Sequence, residues 1–595
     1  MSSKELVQSS FNEKTDRRNR ILIVEHRIPK IKENFDHVFS FFPNNADSFP
    51  SDYLDLAQYQ EIYYRVYEAF LEQIENNAFR EFFSYRGVDL LWCFKKKLFN
   101  YANDFAIRYA VLSKIAEKYG PADFCIEDSE VNVPTRLIYE NSSLKSVTRM
   151  IDIQSSQTNR YRTGNGMSWS RGLGFWPSRI GPKTQGSLEY LLFSDFSKVR
   201  RVSEKLNWRN VAFYTDVKAP RLFLQSRLKG FGFYQYNYQH SADHKYKALA
   251  SEFIERLKTQ NPFTNSGFDG FDAGKLLGLG LESLFRPMLP KLLYDIDALF
   301  RLFNGQKAIR SILLDEDVAP TKNAACQIAR LCGVRSFVEC HGALGEKSGF
   351  APVTADIIFV WGTAQKVKLA AWGVPEEKII VSGCTRYTAY LHMNKREIRE
   401  RVVRDMKLDC RNKLAVIAFP PIKYSRLRFF EQKWKEFFYE VLQVVSSIPD
   451  VQFLIKIKRK SDCEVRNYSE KWISDHQLEK RLIIVEDYDP LLLAKAADFL
   501  IVYGSTLAVE GFAMGTPVIW LHDEWSPLLV EYRKYQVLHY AEDKRSLANW
   551  IKRLCEDVET LAIGDREGAY RDCLNRGQQA APEDVIAFHL KQSHL

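Results

Sequence analysis

The chain has 595 residues, too many for one hydrophobic core, so its length predicts several domains. An apolar fraction of 46% and a charged fraction of 27% are typical of a globular protein and argue against extensive disorder. The formal charge of +10 is modest over so large a surface and suits an anionic partner, whether nucleic acid, a nucleotide-sugar or a lipid headgroup.

Signals for export or membrane insertion are absent from the sequence. The polar start lacks the apolar segment of a signal peptide, and nowhere do 18 uncharged apolar residues follow one another. The ten cysteines never form a C-x-x-C pair, which favours reduced thiols over a zinc site or a disulfide framework. We therefore expect a cytoplasmic protein, with peripheral contact at the inner face of the cell membrane left open.

The first third of the chain predicts two strands separated by helices. Ile21–Val24 is a short apolar run that we expect to open an N-terminal Rossmann-like domain. Residues 53–118 show helical periodicity with aromatic anchors, which predicts a helical layer packed on the sheet. Pro121–Ile126 predicts a further strand. Glu127 follows it, either to act on an acceptor or to cap the next helix.

A long irregular segment, Ser155–Gly186, is rich in Gly, Ser, Arg and Trp. Loops of this length in compact proteins are usually functional or disordered. Trp169 and Trp176 are candidates for stacking on sugar rings, and Arg171 is a candidate for pairing with an anionic group. A mobile loop without a binding role is the alternative.

Gly274–Phe303 is amphipathic and contains Pro287 and Pro290. Because proline breaks the helical hydrogen-bond ladder, the segment predicts a buried pair of helices. A helix resting on a membrane surface is the alternative.

A βαβ unit follows. Ser311–Leu314 is the first strand, Pro320–Leu331 the helix and Arg335–Cys340 the second strand. Parallel strands end at the same edge of a sheet, so Asp315 and His341 are predicted to lie at one edge. Asp315 also opens a D-x-D triplet, the metal motif of single-domain glycosyltransferases, but three letters recur by chance and we expect no metal here.

The C-terminal part begins with two predicted strands, Leu414–Phe419 and Phe453–Ile457. Lys423 follows the first, and Lys456 and Lys458 lie at the end of the second. Lysines at such edges can offset the charge of a diphosphate, although an exposed lysine is more often only solvated.

Val485–Leu521 places a helix, a strand, a turn, a second helix and a second strand in 37 residues. Asp489 is positioned to cap the first helix by accepting a backbone N–H, with proline at the next position. Phe499–Val502 is short and branched, as expected of a buried parallel strand.

The turn after this strand carries the candidate donor-binding residues. Gly504, Ser505 and Thr506 start a helix at the carboxyl end of the strand. Ligands of open parallel sheets bind at that edge, where backbone N–H groups and the helix dipole attract anions. Glu510, one turn further on, is placed to reach sugar or ribose hydroxyls.

Two patterns carry a resemblance to known families. From Asp489 to Ile519 the pattern D-x-x-L-L-x-x-x-A-D-x-x-I-x-x-x-S-T-x-x-x-E-x-x-x-x-G-x-P-V-I resembles the donor-binding segment of GT-B glycosyltransferases. His341-Gly342, then A-D-x-I-F-V-W-G, G-V-P-E-E-K-I-I-V and S-G-x-x-R ending at Arg386, is similar to surface-polysaccharide glycosyltransferases and to CDP-glycerol glycerophosphotransferases.

The resemblance implies an α/β fold of two Rossmann-like domains facing each other across a cleft, with a helical and loop insertion in the N-terminal domain. It assigns residues 1–345 to an acceptor domain, 346–540 to a nucleotide-sugar donor domain, and 541–595 to helices that brace the two. It implies transfer of a sugar from a nucleotide-sugar, a co-substrate rather than a cofactor, to a saccharide or lipid-linked saccharide of the cell surface. No nucleic-acid partner is expected.

In those relatives the histidine of the H-G pair assists the chemistry, so His341 is a candidate base. Asp315 is an equal candidate, and Glu127 is ranked after both. The resemblance assigns donor binding to the Ser-Thr turn, which receives the anionic part, together with Arg386, Glu510 and the three lysines. The E-x7-E spacing of many retaining relatives is absent, which favours inversion.

The sequence differs from the family pattern at one motif, and two alternative functions stay open. The family's K-x-H-P-like motif reads K-I-K-R-K here, so the role of that family histidine is in doubt. A sugar-nucleotide 2-epimerase shares the two-domain fold and a similar Gly-rich turn. A non-catalytic scaffold in an envelope-polysaccharide complex is the alternative outside enzymes.

Overall fold

The computed structural model describes residues 19–24, 35–41, 46–75, 77–120, 122–127, 133–140, 142–146, 148–153, 187–193, 198–215, 232–235, 243–260, 267–268, 271–420, 431–457, 463–521, 530–556, 564–577 and 580–592. Some side chains within these ranges also lie outside the description, among them that of Glu127.

Four parallel strands near the start of the chain form a sheet of their own, the N-terminal sheet. They are β1 Asn19–Val24, β2 His37–Ser40, β3 Ala122–Glu127 and β4 Thr148–Ile153, in the order β2-β1-β3-β4. Ile21–Val24 is a strand, as predicted, and it belongs to this four-stranded sheet rather than to either of the two larger sheets. An apolar run predicts a buried strand but not its partners, and Ile21 pairs with Phe124, far along the chain.

Seven parallel strands form the middle sheet. They are β5 Tyr190–Phe193, β6 Val211–Thr215, β7 Gly232–Gln235, β8 Ser311–Leu314, β9 Arg335–Glu339, β10 Ile357–Val360 and β11 Ile379–Val381. Their order is β11-β10-β9-β8-β5-β6-β7. Counted from β5, this is the doubly wound Rossmann order 3-2-1-4-5-6 with one strand added. Every residue of β8 and β10 is buried, as expected of parallel strands covered on both faces.

Six parallel strands form the C-terminal sheet. They are β12 Lys413–Ala418, β13 Val451–Lys456, β14 Leu482–Val485, β15 Phe499–Val502, β16 Val518–Leu521 and β17 His539–Ala541. Their order, β14-β13-β12-β15-β16-β17, is again the Rossmann order. The predicted fold class, α/β with two Rossmann-like domains, is confirmed. The N-terminal sheet is an addition that was not predicted.

The α-helices are α1 Leu56–Glu75, α2 Asn77–Phe82, α3 Leu90–Tyr119, α4 Val133–Glu140, α5 Lys198–Ser203, α6 Asp243–Thr259, α7 Ala273–Gly305, α8 Pro320–Leu331, α9 Thr363–Ala371, α10 Thr388–Leu391, α11 Lys395–Met406, α12 Glu431–Ser446, α13 Cys463–Asp475, α14 Pro490–Ala496, α15 Leu507–Ala513, α16 Lys544–Glu556, α17 Arg566–Leu574 and α18 Pro582–Lys591. Two short hairpins pair Ser84–Tyr85 with Val88–Asp89 and Gly267–Phe268 with Phe271–Asp272.

The predicted helical layer consists of α1, α2 and α3, and its aromatic residues are core. Tyr63, Tyr67 and Phe70 of α1 are buried against Phe99 of α3, with ring centroids 5.0–6.0 Å apart. Edge-to-face packing of this kind stabilises the contact beyond the buried area. Helix α3 also packs on α7 and α8, and so joins the layer to the middle sheet.

The predicted break at Pro287 and Pro290 is wrong, because α7 is one continuous helix of 33 residues. Its apolar face, which includes Leu281, Phe285 and Leu289, is buried. Packing against α3, α6 and α8 holds the helix through the prolines, whose local cost tertiary contacts override. Among the described helices none is both long and apolar enough to cross a bilayer.

The last helix returns to the middle sheet. Ile586 and Leu590 of α18 are buried in the cluster that contains Leu192 of β5 and Leu313 of β8. The Thr388 hydroxyl lies 3.1 Å from the Glu583 carboxylate. The last helix thus packs on the middle sheet, which precedes the C-terminal sheet in the chain.

Acid is expected to destabilise the C-terminal domain through His539, which is 2% exposed on β17. Burial, with the positive charges of Arg553 and Arg566, lowers its pKa from 6.5 to about 4. The unfolded chain therefore binds more protons between these values, so stability is complete above pH 6.5 and falls as the pH drops towards 4, by on the order of 3 kcal/mol. Urea unfolding curves recorded between pH 4 and pH 7, with the transition of the C-terminal domain followed, measure this loss of stability.

Two matched variants test whether His539 causes this loss of stability in acid. His539→Phe keeps a ring against Trp550 and should flatten the acid limb, whereas His392→Gln at an exposed position should leave it as in the wild type. An unchanged acid limb in His539→Phe would contradict the assignment.

Candidate functional site

The predicted donor turn lies at the topological switch point of the C-terminal sheet. Strand β15 and its neighbour β12 are where the strand order reverses, and ligands of doubly wound sheets bind in the crevice beyond these ends. Gly504 has φ +54°, and a side chain there would approach Pro420, which follows β12, to 3.2 Å. Only glycine therefore brings the two strand-end turns so close.

Ser505 and Thr506 are half-buried at the start of α15. The Leu507 N–H donates to the Ser505 hydroxyl at 3.3 Å, and the Thr506 side chain makes no capping hydrogen bond. Within the described part of the chain, the Thr506 hydroxyl is not used by the helix and is available to a ligand.

The turn that carries His341 meets this donor turn. His341 and Gly342 follow β9 of the middle sheet, and a methyl group on Gly342 would lie 3.6 Å from the Thr506 methyl carbon. The imidazole of His341 is half-buried and stacks on Phe350, with centroids 4.4 Å apart and planes 7° apart. The structure thus brings the turn after β9 of the middle sheet next to the Ser-Thr turn of the C-terminal sheet.

Arg386 and Glu510 bind each other. The Arg386 guanidinium donates to Glu510 at 2.6 Å, where Glu510 is 4% exposed and the arginine side chain is 35% exposed. Burial by itself lowers the pKa of Arg386, but the negative charge of Glu510 outweighs it and the pKa is raised. Arg386 follows β11 and Glu510 lies in α15, so the pair ties the two Rossmann-like domains together.

A second contact fixes the same junction. The Tyr390 hydroxyl donates to Asp489 at 2.6 Å, while the other oxygen of Asp489 accepts the Leu491 N–H at 2.8 Å. The predicted helix cap is confirmed, and the capping carboxylate also links α10 to α14. Burial, together with Asp489, raises the pKa of Tyr390, so its hydroxyl stays a donor.

Asp315 lies at the predicted sheet edge but is fully buried. Its carboxylate accepts from Lys322 at 2.6 Å, and Lys322 also reaches Glu316 at 3.3 Å. The other aspartate of the triplet, Asp317, accepts the N–H groups of Thr354 and Ala355 at 2.6 and 3.1 Å. These bonds give both aspartates structural partners, and in the described chain no group of three or more His, Cys, Asp or Glu is placed to hold a metal ion.

Lys456 is half-buried at the end of β13. Its ammonium donates to the carbonyls of Ile457 and Glu486 at 2.8 and 2.5 Å. The predicted charge at this edge is therefore present but bonded to backbone.

The other predicted residues are not in the described site. Glu127 ends β3, which belongs to the N-terminal sheet rather than to the sheet of His341. Trp169, Arg171, Trp176, Lys423 and Lys458 lie outside the described residues. Their roles stay predictions.

Solved structures of similar shape include a glycosyltransferase from Rickettsia africae, 12% identical over 69% of this chain and 99% of that one, with a TM-score of 0.42. The Anabaena protein HepE in complex with UDP and glucose is 10% identical over 68% and 100%, with a TM-score of 0.43. UDP-GlcNAc 2-epimerase from Neisseria meningitidis bound to UDP-GlcNAc is 14% identical over 68% and 100%, with a TM-score of 0.44. No protein-family model and no curated protein matches the chain. Identities this low do not transfer an activity.

The loop that carries His341 is anchored by the helical layer. Residues 340–356 join β9 to β10 with only a one-turn 3-10 helix, although parallel neighbours are usually joined by an α-helix. The Ser348 N–H donates to the Tyr63 hydroxyl at 3.0 Å, and the Tyr67 hydroxyl donates to the Ala351 carbonyl at 2.5 Å. Helix α1 therefore anchors the backbone of this connection.

These anchors were missed because they join residues almost 300 positions apart. In the sequence Tyr63 and Tyr67 differ in no way from the other aromatic residues of α1. Only the buried hydroxyls, which need a partner, hint at a role beyond packing.

Tyr63→Phe is expected to lower turnover severalfold and to leave nucleotide-sugar affinity unchanged. The substitution removes the acceptor of the Ser348 N–H, worth about 1–3 kcal/mol when buried, and loosens the loop that positions His341. Steady-state kinetics that separate kcat from KM measure this. Tyr64→Phe, at the exposed neighbouring ring, is the control and should behave as wild type. Equal kcat in Tyr63→Phe and Tyr64→Phe would contradict a positioning role.

Proposed function

We propose that the protein is a glycosyltransferase that moves a sugar from a nucleotide-sugar to a saccharide or lipid-linked saccharide. The observation that supports this proposal is the close approach of Gly342, the neighbour of His341, to Thr506 between the two Rossmann-like domains. A proton acceptor and an anion-binding turn on opposite sides of one crevice are what glycosyl transfer from a phosphate requires.

The donor side is assigned to the switch-point turn. The hydroxyls of Ser505 and Thr506 and the backbone N–H groups of the turn receive the donor's phosphates and stabilise the charge of the departing nucleotide. Glu510, oriented by Arg386, is assigned to a hydroxyl of the ribose or sugar. Lys423 and Lys458 are proposed to offset the negative charge of the donor's phosphates, as a metal ion does in other transferases.

The acceptor side is assigned to the loop after β9. His341 takes the proton of the acceptor hydroxyl as its oxygen bonds to the anomeric carbon, and the bond from that carbon to the phosphate oxygen breaks. The proposed stereochemical outcome of this single displacement is inversion. Trp169, Arg171 and Trp176 are proposed to hold the acceptor, and Asp315 takes no part because it is buried with Lys322.

The first test is a panel of UDP-, GDP-, CMP- and CDP-linked sugars in thermal-shift binding, followed by an assay of nucleotide release. At least one donor should stabilise the protein and be consumed once an acceptor is supplied. Conversion of the donor to its epimer without acceptor would identify an epimerase instead. Binding without any turnover across acceptors would identify a scaffold.

Glu510→Gln is expected to weaken donor binding about tenfold or more, because it removes a charged acceptor worth about 1.5–3 kcal/mol. Isothermal titration calorimetry with the donor found in the panel measures the change. Glu400→Gln removes another glutamate paired with an arginine, on the exposed face of α11, and should bind normally. Unchanged affinity in Glu510→Gln would remove Glu510 from the donor site.

A further inference from the structure

A second cavity, of about 590 Å³, lies away from the crevice between the two domains. One wall comes from α2, the hairpin after it and the start of α3; the other comes from α8 and residues before β10 and β11. Thr354 and Lys378 precede their strands, whereas His341 and Arg386 follow theirs. In a parallel sheet these are opposite edges, separated by the length of a strand, roughly 10–16 Å.

Three cationic side chains line this cavity, and each keeps N–H groups that are not used in a hydrogen bond to a described residue. Lys378 forms neither a hydrogen bond nor an ion pair through its ammonium with any described residue. Arg80 has an ion pair of 3.6 Å with Asp89 and no hydrogen bond within the described chain. Arg330, 56% exposed, donates to the Thr354 carbonyl at 2.9 Å and to Asp356 at 3.3 Å through one nitrogen.

Carboxylates stand beside two of these cations, Asp89 beside Arg80 and Asp356 beside Arg330, which leaves Lys378 as the cation with no ion pair within the described chain. Asp89 caps α3 by accepting the Trp92 N–H at 3.0 Å, and burial raises its pKa. Glu81 is exposed. Behind the wall stands buried Lys95, whose pKa is lowered by burial first and also by the charge of Lys378.

The cavity also has a rigid polar floor. The Trp92 indole N–H donates to the Thr354 hydroxyl at 3.0 Å, and Lys95 lies 4.7 Å from the ring centroid. Gln327 is held by bonds to Asp89 and Asn323. Because the Gln327 amide and the Thr354 hydroxyl are bonded within the wall, the floor contributes a rigid shape to the cavity.

We propose that this cavity is a binding site for a sugar phosphate, with Arg80, Arg330 and Lys378 around the phosphate and the Trp92–Gln327 floor under the sugar. Guanidinium groups bind phosphate oxygens in a two-pronged geometry, and a lysine adds a point charge. The volume lies in the range of small-ligand sites, about 300–1,000 Å³. The site is separate from the proposed donor site and does not depend on it.

The test is calorimetry on the full chain with glucose 1-phosphate and glucose 6-phosphate as probes, and with glucose and inorganic phosphate for comparison. We expect at least one sugar phosphate to bind, glucose to fail, and phosphate to bind more weakly. Lys378→Ala and Arg80→Ala should each weaken the binding about tenfold. Lys366→Ala, a surface lysine paired with Glu376 outside the cavity, should not.

Every other outcome overturns the proposal. Absence of binding by both probes rejects a sugar-phosphate site. Binding that Glu510→Gln abolishes and Lys378→Ala leaves intact assigns the probe to the crevice between the domains. Equal affinity for glucose and for its phosphates rejects the role of the cations. The thermal unfolding midpoint of each variant is the folding control: if it is unchanged, a loss of binding is not a loss of folding.

Discussion

Replacing His341 by alanine is expected to lower turnover at least about a hundredfold while nucleotide-sugar binding stays as in the wild type. The imidazole stacks on Phe350, and its neighbour Gly342 lies close to Thr506 of the Ser-Thr turn. In the proposed mechanism its removal deletes the proton acceptor and leaves the Ser-Thr turn of the other domain untouched. Rates at saturating donor and acceptor, with calorimetry of donor binding, measure both effects.

Two controls separate chemistry from folding. His341→Gln keeps a polar side chain on Phe350 but cannot take a proton, so its turnover should be as low as that of His341→Ala. His476→Ala removes an exposed histidine near the opposite edge of the C-terminal sheet and should be fully active. A His341→Ala rate within about threefold of wild type would remove this residue as the base.

Asp315→Ala is expected to destabilise the fold by about 3 kcal/mol, which lowers the melting midpoint of a domain of this size by roughly 6–12 °C. Asp315 is fully buried and Lys322 is 7% exposed on its side chain, so the substitution leaves a buried ammonium. Glu316, at 3.3 Å and 23% exposed, compensates only in part. Differential scanning calorimetry of the transition that contains the middle sheet measures the loss.

The double variant Asp315→Ala, Lys322→Met distinguishes a lost charge partner from a lost volume. It should recover most of the stability, because replacing both members of a buried pair avoids the unpaired charge. Glu316→Ala should cost much less, since the 2.6 Å bond remains. If Asp315→Ala melted as the wild type but lost its activity, the carboxylate would belong to the chemistry after all.

The N-terminal helices hold the loop that carries His341, although these helices contain none of the candidate catalytic residues. The β9–β10 connection has no α-helix of its own, and Tyr63, Tyr67 and Lys95 bind its backbone. A polar loop buried between sheet and helices must have its N–H and C=O groups satisfied, and these side chains do so. Removal of the helical layer would therefore expose the loop that bears His341.

The sequence by itself determined the local elements and the candidate groups. Phe499–Val502 and Ser311–Leu314 are strands with the predicted bounds, and Asp489 caps the helix that its spacing predicted. Apolar runs and capping residues act over a few positions, so local sequence is enough to predict them. The two Rossmann-like domains followed from the same local patterns together with the family resemblance.

Only the tertiary structure decided which of those groups meet. It placed β1 in a separate sheet, kept α7 whole through two prolines, and buried Asp315 against Lys322. It also brought Gly342 next to Thr506 and paired Arg386 with Glu510. Partner choice depends on contacts between residues far apart in the chain, where packing and charge pairing outweigh local propensity, so a run of letters cannot show it.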